Sequence, residues 1–293
     1  MRRLAVFALF LVAACGSIGV QAQTLKLAYK AGDTYRYGLH AAFKYTVGAE
    51  GLSIPIDLDM SAKEAMTVKS VDSSGTATIT VAVTDLSVKT TTNGVSNTTT
   101  TTTSANVDMK VTSDGRIVSI SGSTFGNTTL PGMSGSQGGL LTAILPDKAV
   151  KPGDTWTKDY DQANPFGSGT SHVTTTNKYL RDEKVGSVNT AVVESNIKGT
   201  FDLKIDMSAS AGGGTSLFPT GGGSGLQSLS MKGTTTTDVT SWFDASGHRV
   251  VKSHSTGSVD ATMSLNMAAG VTTPGLTGPI TFKGTQTMDM TPA

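Results

Sequence analysis

Long stretches of this chain alternate apolar and polar residues with a period of two. In "LSIPIDLDMSA", Leu52, Ile54, Ile56, Leu58, Met60 and Ala62 share one face, against Ser53, Asp57, Asp59 and Ser61. "FDLKIDMSAS" sets Phe201, Leu203, Ile205 and Met207 opposite Asp202, Lys204 and Asp206. "VDATMSLNM" sets Val259, Ala261, Met263, Leu265 and Met267 opposite Asp260, Thr262, Ser264 and Asn266. Successive side chains of a strand leave opposite faces, so the pattern predicts antiparallel strands with one apolar and one wet face. In "TATITVAVTDLSV" the apolar parity flips between Val83 and Leu86, which predicts a bulge near Thr84–Asp85. Pro55 has no N–H to give a ladder and predicts a strand end, an edge or a bulge.

Two stretches depart from the pattern. Leu140, Leu141, Ile144 and Leu145, ahead of Pro146, predict a short helix stopped by the proline. The Gly-rich run 210–228 predicts a mobile loop with Leu217 and Phe218 as its apolar points.

The chain also opens twice. "KAGDTY" at 30–35 and "KPGDTW" at 151–156 align Gly32 with Gly153, Asp33 with Asp154, Thr34 with Thr155 and Tyr35 with Trp156. Further on, "TSDGRIV" at 112–118 is matched by "DASGHRVV" at 244–251, each a Gly-centred turn before a β-branched strand. Turns into apolar strands and Thr-rich strands intervene in the same order, which predicts an internal duplication with halves 23–140 and 141–293. Each GDT reads as turn chemistry, the Asp bonding nearby amides while Tyr35 or Trp156 anchors the next strand in the core. The expected fold is all-β: two similar halves in a curved antiparallel sheet, a half-barrel or sandwich, with at most one or two short helices.

Composition supports this reading. Of 293 residues only 15% are charged and 6% aromatic, with 34 glycines, which suits strands joined by flexible loops. A formal net charge of +1 argues against nucleic acid as a partner, since phosphate binding needs a basic face. The start, "MRRLAVFALFLVAACGSIGVQAQ", has a basic head at Arg2 and Arg3 and an 11-residue apolar run from Leu4 to Ala14. That run is too short to span a bilayer and reads as an export signal. Residues 1–22 form the signal if cleavage follows Ala22. In the alternative, residues 1–14 form a lipoprotein signal and Cys15 is acylated, tying the protein to a membrane. Cys15 is the single cysteine, so the exported fold has no disulfide. The expected location is the periplasm, the outer membrane's surroundings or the bacterial cell surface.

Candidate chemistry is sparse. His40, His172, His248 and His254 fit no zinc motif, and neither a nucleophile elbow nor a P-loop occurs, so no catalytic residue, cofactor or metal is expected. The methionines stand out. Met60, Met207, Met263 and Met267, with Leu265, fall on apolar strand faces and could line a concavity for an acyl chain. Ordinary core packing accounts for the same residues.

With its signal, doubled GDT[YW] opening, "LPDKAVKPGDTW" and Thr-rich strands, the chain resembles a bacterial family of exported β-rich proteins of uncharacterised function. That resemblance implies no catalytic residues. In architecture it more remotely resembles the lipid carriers of the lipoprotein-localisation and mycobacterial lipid-binding lipoprotein type. There a half-barrel cups acyl chains under short helices, a lid for which Leu140–Leu145 and the loop around Leu217–Phe218 would serve here. The function expected is that of a non-enzymatic envelope protein with an apolar or lipid ligand. The alternative is a structural or surface-interaction protein with no small-molecule ligand.

Overall fold

The computed structural model describes residues 21–49, 51–101, 105–122, 142–164, 168–206, 226–267 and 278–293. The strands are β1 (Thr34–Ala49), β2 (Leu52–Val71), β3 (Ala77–Thr92), β4 (Val95–Thr101), β5 (Ala105–Val111), β6 (Ile117–Gly122), β7 (Thr155–Ala163), β8 (Ser168–Val185), β9 (Val188–Asp206), β10 (Leu226–Asp244), β11 (Arg249–Met267) and β12 (Ile280–Pro292). They make one antiparallel sheet in the order β6-β5-β3-β2-β1-β12-β11-β10-β9-β8-β7, with β4 paired to the far half of β3. Strands β1 to β6 are thus one meander and β7 to β11 a second. The last strand, β12, lies between β1 and β11 and joins them.

The sheet curls until it is nearly barrel-shaped. Its outermost strands, β6 and β7, meet through side chains. Gln162 Nε2 donates to the carbonyl of Ile117 at 2.8 Å. The Arg116 guanidinium lies 5.0 Å from the Tyr160 ring centroid, and Lys158 Nζ is 3.7 Å from the Asp114 carboxylate. Close approach of strands shows at Gly284, where a Cβ would fall 2.2 Å from Tyr45 Cδ1 and 2.4 Å from the Lys44 carbonyl. The Tyr45 ring covers that glycine and packs against Phe282 at 4.5 Å between centroids.

The alternation read from the sequence holds. Leu58, Met60 and Ala62 are buried while Asp57, Asp59 and Ser61 are exposed, and Val259, Ala261 and Met263 repeat the pattern on β11. The bulge falls where parity flips. Ser61 pairs with Ser87 and Lys63 with Thr84, so Asp85 and Leu86 oppose Ala62 alone. Asp85 takes a left-handed φ of 52°, a conformation that Asp tolerates better than most residues. Pro55 lies just beyond the last β2–β3 pair, Ile56 with Thr92, so its missing N–H breaks no ladder with β3.

The two openings are built alike. Gly32 N–H donates to the Val68 carbonyl and Val68 N–H returns to Asp33. Gly153 N–H donates to the Tyr179 carbonyl and Tyr179 N–H returns to Asp154. Both glycines have positive φ, 93° and 97°. Tyr35 and Trp156 then pack half-buried on the core.

One expectation is corrected. No helix occurs among the described residues, and Thr142, Ala143, Ile144 and Leu145 form a buried extended segment instead. Their backbone finds tertiary partners. Ala143 N–H donates to Ser241 Oγ at 2.8 Å, Leu145 N–H to the Asp114 carbonyl at 2.9 Å, and Trp156 Nε1 to the Ile144 carbonyl at 2.9 Å. With those groups satisfied from outside, the segment has no need of helical bonds. Leu140, Leu141, Leu217 and Phe218 lie outside the described residues, as does most of the run 210–228.

Candidate functional site

The inner face of the sheet buries apolar side chains, joined on β8 to β11 by small polar ones, and leaves charged residues such as Asp57, Asp59, Lys63 and Lys204 outside, the reverse of a membrane-spanning barrel's lipid-facing wall. At the end where β1 begins, the interior is closed by an extended strap. Gln23 and Val150 exchange backbone hydrogen bonds of 2.8 and 2.9 Å. Leu27 N–H donates to the Ser113 carbonyl at 2.8 Å and Ala28 N–H to the His248 carbonyl at 3.1 Å. Leu25 and Leu27 are driven inside by their apolar surface and are fully or nearly fully buried.

Beneath the strap lies a small cavity of about 30 Å³, the room of one water molecule. Leu27, Tyr29, Tyr37, Met66, Met109 and Met290 line it, with Thr142 at its rim. Tyr37 donates its hydroxyl to the Val250 carbonyl at 2.7 Å, and Thr142 donates to the Ala143 carbonyl at 3.2 Å. Burial holds the phenols of Tyr29 and Tyr37 well above the usual tyrosine range.

Next to this cavity is an acid in an apolar wall. Glu64 faces Tyr37 across the β1–β2 ladder and stands two residues before Met66 on the same face. It is 7% exposed, and its Oε2 has no hydrogen-bond partner. Loss of hydration pushes its carboxyl up to about 7.

The residues singled out in the sequence are distributed differently. Met60 is buried opposite Ala41, and Met263 is fully buried between Met231 and Ile280. Leu265 and Met267 are half-buried toward the end of β11. Met60 and Met263 share the inner face with the cavity's methionines but do not line it; Met66, Met109 and Met290 do. Met207 and Cys15 lie outside the described residues. Glu64 was missed, although its signal was present: it continues the parity of Leu58, Met60 and Ala62 into Met66 and Val68.

Three histidines sit on the outer face beside aspartates: His40 and Asp59 at 3.2 Å, His172 and Asp161 at 2.9 Å, His254 and Asp289 at 2.7 Å. The hydrogen bond that His172 gives to Asp161, with Asp159 nearby, raises its imidazole. His248 occupies a left-handed turn position at φ 53°. Among the described residues, no three His, Cys, Asp or Glu gather into a group able to hold a metal.

No family model and no curated protein matches the chain. Among solved structures, one of lipid–protein interactions in lipovitellin is similar over 90% of this chain and 26% of its own, with a TM-score of 0.41 and 12% identity. The chain therefore spans about a quarter of that protein's length.

Proposed function

We propose that this is an exported, non-enzymatic protein of the bacterial cell envelope that takes an apolar or lipid ligand into its curved sheet. The observation that carries the reading is the closure of the apolar interior. At one end it is sealed by an extended strap rather than by strands, over a cavity lined with three methionines. Leu27 and Tyr29 belong to this extended strap and line the cavity, so moving them aside would open apolar volume. Methionine walls then adapt to a flexible chain. The N-terminal signal supports export, with acylation at Cys15 as the route to a membrane.

A second reading is a structural or surface-interaction protein without a small-molecule ligand. The near-filled interior favours it, as do the exposed Thr98, Thr99 and Thr100 of β4 and Thr234 of β10. Native mass spectrometry separates the two. The protein exported to a bacterial periplasm and purified without detergent should carry extra mass matching a fatty acid or phospholipid, lost on denaturation. A bare polypeptide that stays bare when lipid is offered favours the second reading.

A further inference from the structure

We infer that the strap end of the sheet is a basic docking face for an anionic bilayer, which turns Leu27 and Tyr29, the closure of the interior, toward lipid headgroups. This rests on the envelope part of the reading above and not on its ligand.

Six exposed lysines stand around the strap: Lys26 and Lys30 in the segment leading into β1, Lys148 and Lys151 near Val150, Lys69 next to Val68, and Lys184 at the end of β8. Backbone and side-chain bonds gather them. Gln23 pairs with Val150, the Gly32 N–H donates to the Val68 carbonyl, and Gln23 Nε2 lies 3.5 Å from the Asp182 carboxylate. None of the six has an ion-pair partner among the described residues.

The acids at this end are already engaged. Arg116 holds Asp114, Lys158 holds Asp147, Arg181 holds Glu183 and Arg249 holds Asp244. Asp33 and Asp182 accept from the hydroxyls of Tyr35 and Tyr179, and Asp72 and Asp154 accept from the backbone amides of Thr76 and Lys151. The first four acids are neutralised where they stand, and the six lysines outnumber the other four. On the outer face, by contrast, Lys63, Lys283 and Lys232 lie 2.8, 2.8 and 3.7 Å from Asp85, Asp260 and Asp202. Without Arg2 and Arg3 of the signal the chain carries one more acid than base, so the positive end is a matter of placement, not of composition. Each lysine brought near an anionic bilayer strengthens attachment roughly fivefold, and the factors multiply over a cluster.

The path of the chain favours a bilayer over a soluble polyanion. The N-terminal signal leads into the strap at this end, and Cys15 stands eight residues before Gln23, at most about 29 Å away along a fully extended chain. An acyl chain at Cys15 would bring this end to the membrane, and not the opposite end with its exposed Leu52 and Val95.

The test offers the periplasm-purified protein, with Cys15→Ala so that no acyl chain contributes, to two kinds of vesicle. One is equal parts phosphatidylglycerol and phosphatidylcholine, the other phosphatidylcholine alone, and binding is read by co-sedimentation. Affinity for the anionic vesicles should be at least about tenfold higher, and should fall steeply between about 0.05 M and about 0.5 M salt. Lys30→Gln, Lys148→Gln and Lys151→Gln together should weaken it by about tenfold or more, whereas Leu52→Ser with Val95→Ser should leave it within about twofold. If the triple variant does not fold by circular dichroism, Lys26→Gln, Lys69→Gln and Lys184→Gln replace it. Equal binding to both vesicles, a lysine variant that binds as the parent does, or loss of binding in the Leu52 and Val95 variant overturns the docking face. So does capture of dextran sulfate by the same lysines with the anionic vesicles left unbound. Native mass spectrometry of the same preparation reads the interior separately. Docking without lipid mass overturns the ligand reading alone, and lipid mass without docking overturns the docking face alone.

Discussion

The two sides of the curled sheet bury different things. The wall of β1, β2, β3 and β12 is lined by bulky apolar groups such as Tyr37, Phe43, Leu58, Ile79 and Phe282. Across from it, β8 to β11 bury Ser171, Thr175, Asn177, Ser195, Ser241 and Ser255 at 1% exposure or less. These small polar residues set apart a minor apolar cluster of Val173, Ile197 and Val239. Part of the polar wall is internally bonded. Ser195 Oγ donates to Asn177 Oδ1, and Asn177 Nδ2 donates to Thr175 Oγ1 at 2.9 Å and to the Trp156 carbonyl at 3.2 Å. The contrast teaches that one wall is held chiefly by area removed from water, while the other adds hydrogen bonds among buried polar side chains to the apolar contacts of Tyr179, Leu203 and Phe243. The two should therefore fail in different ways.

The largest expected effect lies on the apolar wall. Phe43→Ala removes a 1%-exposed ring and should cost about 3–5 kcal/mol, read as a lower urea midpoint with little change in m. A loss under ~1 kcal/mol would mean that this wall collapses readily and is not the tightly packed side.

Glu64 is the exception within that wall, and it makes the apolar side sensitive to pH. Its carboxyl is raised from 4.5 to about 7, so between those values the folded protein binds more protons than the unfolded chain. Stability is then greatest below the unfolded value and falls as pH rises toward the folded one, by on the order of 3 kcal/mol in all. Glu64→Gln should flatten the thermal-unfolding profile from pH 4.5 to 7 relative to wild type. An unchanged slope would show that Glu64 is hydrated or paired in the folded protein.

The smallest effect belongs to the polar wall. Asn177→Ala strands Ser195 and should cost about 1–3 kcal/mol by urea denaturation. The double variant with Ser195→Ala should lose less than the sum of the two single losses, because the second change removes the group left without a partner. Strict additivity would show that the pair does not act as a unit.

Much of the local structure was legible in the sequence because it depends on neighbours along the chain. Alternation placed Leu58, Met60 and Met263 on the inner face, and the parity flip marked the bulge at Asp85. The GDT openings were read as turns from chemistry alone, and both form the same backbone exchange. The run ending in Leu145 was misread because an apolar segment buried on all sides has no periodicity to tell strap from helix. The candidate site was only half legible. Methionines on the inner face were visible, but which of them border space depends on where the strap from Gln23 to Tyr29 lies.

By itself, then, the sequence determined strand identity, facing, bulge position and turn geometry, since each follows from sterics and hydrogen bonding within a few residues. Only the tertiary structure decided that two meanders and β12 form one curled sheet. It alone buried Ser195 and Asn177, whose types are as much at home on a wet face. It alone set Glu64 beside a cavity under Leu27, since burial, unlike alternation, is a property of what comes to lie across the barrel.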